Sequence, residues 1–367
     1  MRLRLEKIMS DSVFDAGLTR SALPSIGLDA PAVRALSDSN AVRPNLHFVK
    51  EPAATGTEPV NDVDPGLDVV NVAFGLDATY LPHAGVVITS MIANAPDAHF
   101  RFLILHEGIS AEDRSEFERC GSGHQFLWLR IEQSSVLAMA GKRHISRASY
   151  FRLMISELAP ADMTRVIYLD GDLVITGDLR ELYRTDLADH AIGAVADVGM
   201  DDRAFAERFG LAHQRLGYFN AGVLLIDLAA IRQSGAFLKA LDLLETRKDE
   251  MEYSDQCALN LVFWQRWTAL DILWNVQRRM LMSNEGKPCF AEKSEMKSGQ
   301  RPKIIHFTEQ NKPWSTDAWH PLIWTYYRYL DKTPYRARVR TMAQVTLIRE
   351  VRRRVKTFFN WQRLRAN

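Results

Sequence analysis

Arg165-Val166-Ile167-Tyr168-Leu169-Asp170-Gly171-Asp172-Leu173-Val174-Ile175-Thr176 decides the reading of this chain. A short apolar run climbs to two carboxylates separated by a glycine, and a second apolar run leaves them. Bounded by turn residues, such a run reads as a buried strand. The C-terminal end of a strand is where an open α/β sheet places its ligand crevice. Two carboxylates there make a hard, doubly anionic oxygen site suited to Mg²⁺ or Mn²⁺. Asp-Gly between hydrophobics is also a strong hairpin signal, so this stretch by itself leaves a plain turn open.

Working outward, the neighbouring segments alternate between the two periodicities. Val69–Phe74, Phe100–Leu105 and Phe126–Leu129 read as strands, with helical stretches from about His83 to Asn94 and from Ser149 to Leu158. Ser110 before Ala111-Glu112-Asp113 reads as the N-cap of a further helix. Downstream, Ile192–Asp197, Phe219–Ile226 and Lys303–Phe307 read as strands, and Asp255-Gln256 opens a helix. Strands alternating with helices imply βαβ units and a largely parallel sheet. The polar residues of interest fall at strand C-terminal ends or in the loops after them. That is the active-site edge of such a sheet.

Composition narrows the class. The 367 residues are 47% hydrophobic and 25% charged, as expected of a globular enzyme with one large core. The net charge of +1 hides an uneven distribution: residues 335–367 hold ten Lys or Arg against Glu350 alone, leaving the rest mildly acidic. Cys120, Cys257 and Cys289 are odd in number and far apart, so neither a disulfide framework nor a metal spacing can be read from them. Reduced thiols in a cytoplasmic compartment are the expectation. Neither a secretory signal nor a spanning apolar run is present. Glu51–Gly66, rich in Pro, Gly, Thr and Asp, reads as a linker. The expected division is therefore 1–66 as an extension and linker, 67–330 as the enzyme domain and 331–367 as a basic tail.

From Val69 to about Trp324 the chain resembles the retaining glycosyltransferases of family eight, the bacterial lipopolysaccharide galactosyl- and glucosyltransferase group. The resemblance is carried, in the family's order, by Phe74-Gly-Leu-Asp77-Ala-Thr-Tyr80, Tyr150-Phe-Arg152-Leu, Tyr168-Leu-Asp170-Gly-Asp172 and Phe219-Asn220-Ala221-Gly222. Asp255-Gln256-Cys-Ala-Leu-Asn260, Trp274-Asn275 and His306-Phe-Thr-Glu-Gln-Asn-Lys312-Pro-Trp314 follow. It implies a GT-A type nucleotide-diphospho-sugar transferase fold, α/β with a mostly parallel mixed central sheet. It also implies a UDP-hexose donor and Mn²⁺ or Mg²⁺ held by Asp170, Asp172 and His306.

By the same resemblance, Asp77 and Tyr80 hold the uracil and ribose end, and Arg152 and Lys312 lie near the diphosphate. Asp197, Asn220, Ala221, Asp255 and Gln256 line the donor sugar. Gln256 would stabilise positive charge at the anomeric carbon without attacking it, in a same-face displacement. One position departs from the family: Glu309 stands where the family usually has Gly, putting a carboxylate beside the expected diphosphate. Pairing with Lys312, or pointing away, would relieve it.

The tail places Val339, Met342, Val345, Val351, Val355, Phe358 and Phe359 among arginines at roughly helical spacing, with Trp361 nearby. This is the pattern of an amphipathic helix on an anionic membrane surface, or of a solvated capping helix. No motif supports a nucleic-acid role. The expectation is a cytoplasmic enzyme, peripheral on the membrane's inner face, with a glycan or lipid-linked acceptor. A nucleotidyltransferase and a non-catalytic nucleotide-sugar-binding relative are the rivals.

Overall fold

The computed structural model describes residues 48–53, 69–132, 147–213, 216–282, 300–310, 312–315 and 318–342, with 351, 352, 355, 358 and 359. Cys289, Asn311, Val345, Trp361, most of the N-terminal extension and the rest of the 51–66 linker lie outside these residues. The strands are β1 (Phe48–Glu51), β2 (Val69–Gly75), β3 (His99–His106), β4 (Gln125–Ile131), β5 (Arg165–Leu169) and β6 (Leu173–Ile175). They continue with β7 (Ile192–Ala196), β8 (Phe219–Asp227), β9 (Thr268–Ala269), β10 (Val276–Gln277) and β11 (Ile304–His306).

Eight strands form one sheet in the order β1-β4-β3-β2-β5-β8-β7-β9. The run from β4 through β3 and β2 to β5 is parallel, while β8 is antiparallel to both β5 and β7. This is the mostly parallel mixed sheet expected from the sequence. β8 is buried along all but its last residue, as a strand covered on both faces is, and β2 is buried through most of its C-terminal half. Helix Leu81–Asn94, opened by Pro82 in its first turn, packs against β6. There Ser90 and Asn94 bond the backbone of Ile175 at 2.9 and 3.0 Å.

β6, β10 and β11 form a separate three-stranded sheet. β5 and β6 therefore belong to different sheets, and the Asp170-Gly171-Asp172 corner is not a hairpin turn. β1, N-terminal to residue 67, adds an antiparallel edge strand to β4. Glu51 anchors it, meeting Arg114 and, at 3.3 Å, Arg130 Nε. At the other end, helix Arg336–Met342 docks on the core through buried Tyr335 and Val339. Val351, Val355, Phe358 and Phe359 are exposed. Among the described residues no helix is long and apolar enough to cross a membrane.

Candidate active site

Strand register assembles the site. β5 and β8 pair with Leu169 opposite Val223, and Asp170 N continues the ladder by donating to Gly222 O at 2.9 Å. β6 and β11 pair with Leu173 opposite His306, and Phe307 N donates to Asp172 O at 3.1 Å. Each aspartate is thus fixed by the strand-to-strand bonding of a different sheet. Their carboxylates and the His306 ring offer ligand atoms within 4.8 Å of one another. His106, which also ends an apolar strand, is elsewhere: it is buried, its Nδ1 accepts from Ile109 N, and its Nε2 faces Glu51 at 3.5 Å.

A chain of amides fixes the His306 tautomer. The Asp197 carboxylate can only accept, so Asn220 presents Nδ2 to it at 3.0 Å and Oδ1 to Asn275 Nδ2 at 2.9 Å. Asn275 Oδ1 then faces His306 Nδ1 at 2.9 Å, and that nitrogen must carry the proton. The Nε2 lone pair is left pointing at the carboxylates, 3.3 Å from Asp172 Oδ1. Asp172 Oδ1 is buried and accepts no hydrogen bond among the described residues. Two electron-pair donors face each other across a gap that a cation would satisfy. Two carboxylates and an imidazole with its other nitrogen anchored suit a hard divalent ion such as Mn²⁺ or Mg²⁺.

Gly222 makes room for this arrangement. A Cβ there would stand 2.3 Å from His306 Cε1 and 2.7 Å from Asp170 Oδ2. Gly222→Ala is therefore expected to weaken Mn²⁺ binding by roughly ten- to a hundredfold. Calorimetric titration of the apo-protein with Mn²⁺ measures this.

Lys312 Nζ contacts Asp172 Oδ2 and donates to Phe307 O at 2.8 Å. Burial would raise the Asp172 carboxyl, but the Lys312 ammonium beside it outweighs burial and holds the group well below the usual carboxylate range. On the other side Arg152, buried, donates to Ala221 O and, at 3.1 Å, to Asp170 Oδ1. Its guanidinium lies 4.5 Å from the centre of the Tyr168 ring, and the Tyr168 hydroxyl donates to Asp170 Oδ1 at 3.0 Å. Arg152 Nε is also 2.8 Å from Asp255 Oδ2, a charge contact without hydrogen-bond alignment.

Burial pushes the Asp255 carboxyl up to about 6, with Arg152 opposing. Between about pH 4 and pH 6 the native state therefore binds more protons than the unfolded chain, so this group's contribution to stability is lost as pH rises. Asp255→Asn, which does not titrate, is expected to gain about 3 kcal/mol on the wild type between about pH 4 and pH 7. Urea unfolding in EDTA at the two pH values measures this difference.

Gln256 is pinned by Ala221 N, which donates to its Oε1 at 3.0 Å, while its Nε2 donates to Asp197 Oδ2 at 3.2 Å. Asn260, one helical turn on, ties Gln256 O to both backbone polar groups of Phe219. At the far end Asp77 Oδ1 accepts from the backbone of Thr79 and Tyr80 at 2.9 and 3.1 Å, shaping the loop after β2. Tyr80 meets Trp314 edge-on, and its hydroxyl is raised by burial and by the two site aspartates.

Asp77, Tyr80, Asp170, Asp172, Asp197, Asn220, Gln256, His306 and Lys312 all line one cleft of about 610 Å³. Arg152, Ala221 and Asp255 support it from behind. Glu309 also lines it, paired not with Lys312 but with Arg278 and Arg279 at 2.8 and 2.6 Å. Sequence reasoning missed these two arginines and Tyr253, which is exposed at the cleft. The only available signal was a basic pair shortly after Trp274-Asn275.

A family model described as glycosyl transferase family 8 matches residues 71–318. General stress protein A of Bacillus subtilis (strain 168) is 24% identical over 275 residues, covering 73% of this chain and 95% of its own length. Lipopolysaccharide 1,2-glucosyltransferase of Escherichia coli (strain K12) is 26% identical over 281 residues, covering 73% and 80%. Among solved structures, galactosyltransferase LgtC in complex with donor and acceptor sugar analogues superimposes with a TM-score of 0.62 at 26% identity, covering 74% of this chain and 99% of that one. The matched span runs from the loop that carries Asp77 and Tyr80 to the segment that carries His306 and Lys312. The chain belongs to glycosyl transferase family 8 and is a glycosyltransferase of GT-A type fold.

Proposed function

We propose that the chain is a metal-dependent retaining hexosyltransferase, taking galactose or glucose from a UDP-sugar and delivering it to a cell-surface glycan or lipopolysaccharide-type acceptor. The observation that carries this reading is the gap between Asp172 Oδ1 and His306 Nε2, flanked by Asp170 and Lys312, inside a cleft lined by Asp197, Asn220 and Gln256. Two relatives support the acceptor class by their names, lipopolysaccharide 1,2-glucosyltransferase and lipopolysaccharide 1,3-galactosyltransferase. When bound, a divalent cation at the triad would take up negative charge on the leaving diphosphate.

The chain's own residues do the rest. Lys312 exchanges Asp172 for a phosphate oxygen. Asp77 and Tyr80 hold the base and ribose, and Asp197 and Asn220 meet sugar hydroxyls. Asp255, buried and engaged by Arg152, is a positioning group and not a nucleophile. The anomeric carbon–phosphate oxygen bond breaks as the acceptor oxygen bonds the same face, and the leaving phosphate takes the acceptor's proton. Gln256, its amide oriented by Ala221 and Asp197, stabilises the oxocarbenium-like charge electrostatically.

The basic tail, with Val355, Phe358 and Phe359 exposed, would rest on an anionic membrane surface. On this reading the enzyme works at the inner face of the cytoplasmic membrane, near a lipid-linked acceptor. The test of the donor reading is UDP release from a panel of UDP-sugars with Mn²⁺ or EDTA. Slow Mn²⁺-dependent hydrolysis of one UDP-hexose is expected. Equal release in EDTA, or a covalent glycosyl adduct at Gln256 or Asp255, would overturn the mechanism.

A further inference from the structure

Glu309 has a backbone φ of 73°, a left-handed conformation in which a side chain is strained and Gly is not. Strain of this kind persists where the surroundings over-determine it. Here they do. Glu309 Oε2 accepts from Arg278 Nη1 at 2.8 Å, and Glu309 Oε1 accepts from Arg279 Nε at 2.6 Å. Arg279 Nη1 also donates to Gly199 O at 3.2 Å, in the loop that follows Asp197. Arg278 N bonds Thr308 Oγ1 at 3.3 Å.

One carboxylate and two guanidiniums therefore join three segments at the edge of the cleft. These are the loop bearing Lys312, the loop bearing Asp197 and the helix after β10. Two cations against one anion leave a positive excess, so the carboxylate's charge is already answered before any diphosphate arrives.

We infer that Glu309 is a positioning residue for donor binding: through Arg278 and Arg279 it clasps the Lys312 loop to the Asp197 loop across the mouth of the cleft. This rests on the UDP-sugar reading above. A bare carboxylate beside a diphosphate and a clasp have opposite signatures. Neutralising a repelling carboxylate tightens UDP binding, whereas opening a clasp weakens it.

The experiment is calorimetric titration of UDP in saturating Mn²⁺, with the kinetics of UDP-hexose hydrolysis alongside. Glu309→Gln and Arg279→Gln are each expected to weaken UDP by about three- to tenfold, and the double variant by no more than the worse single. KM should rise with kcat within about twofold. The exchanged pair, Glu309→Arg with Arg279→Glu, should recover part of the affinity. Glu309→Gly controls for folding, because it relieves the backbone strain and should still lose affinity. Unchanged or tighter UDP binding in Glu309→Gln, or additive losses in the double variant, would overturn the clasp. A wild type that binds no UDP with Mn²⁺ would overturn the donor reading itself, and is read before any variant is made.

Discussion

Asp172→Asn is expected to lower Mn²⁺-dependent UDP release from the preferred UDP-hexose by about a thousandfold or more, equivalent to roughly 4 kcal/mol of transition-state stabilisation. The substitution removes one of the triad's two carboxylates and half of its negative charge, and it takes the counter-charge from Lys312. The backbone carbonyl of Asp172 still ties it to β11, but losing the charge that Lys312 faces should lower the melting temperature. A circular dichroism spectrum that matches the wild type at the assay temperature, with turnover gone, separates the loss of activity from unfolding. Retention of more than a tenth of wild-type turnover would show that Asp172 is not part of the reacting site.

Arg152→Met carries the other large effect, this time on stability. Methionine keeps an unbranched apolar stem, but the guanidinium that faces Asp170 and Asp255 is gone and Ala221 O loses its donor. Removing one partner of a buried charge cluster costs about 3–5 kcal/mol, because the remaining carboxylates stay desolvated without a cation. The pH dependence has a definite sign. Arg152 is the main influence lowering the Asp255 carboxyl against burial, so its loss raises that group further and the carboxyl protonates more readily. The destabilisation should therefore be largest at neutral pH and shrink on acidification through the raised value. Urea unfolding at pH 7 and at pH 5 measures both. Equal destabilisation at the two pH values would mean that the loss comes from packing alone.

The alternation of strands and helices and the two carboxylates at a strand end were legible in the sequence. Both follow from local periodicity, and the structure keeps them. The pairing of β6 with β11 was not legible locally, because residues more than a hundred positions apart must find one register to bring His306 to Asp172. Position at a strand end did not single out His306, since His106 ends an equally apolar strand; Lys312 in its Pro-Trp context a few residues on did, together with the family resemblance.

The Asp197-Asn220-Asn275-His306 relay was out of reach for another reason. The direction of each amide is set by the next partner along, and sequence spacing carries none of that. Arg278 and Arg279 escaped notice because their role depends on Glu309, whose carboxylate was expected either to pair with Lys312 or to point away, with no partner named for the second case. Lys312 pairs with Asp172 and not with Glu309. β1 lay hidden because four residues ahead of a Pro- and Gly-rich stretch carry too little pattern to announce an edge strand.

The central claim is that the cleft binds a nucleoside diphosphate through a cation held by Asp170, Asp172 and His306. Calorimetric titration of the wild type with UDP, in Mn²⁺ and then in EDTA, tests it most directly. UDP binding in Mn²⁺ that is lost in EDTA is the expected result. UDP binding of equal strength in EDTA, or no binding under either condition, would contradict it.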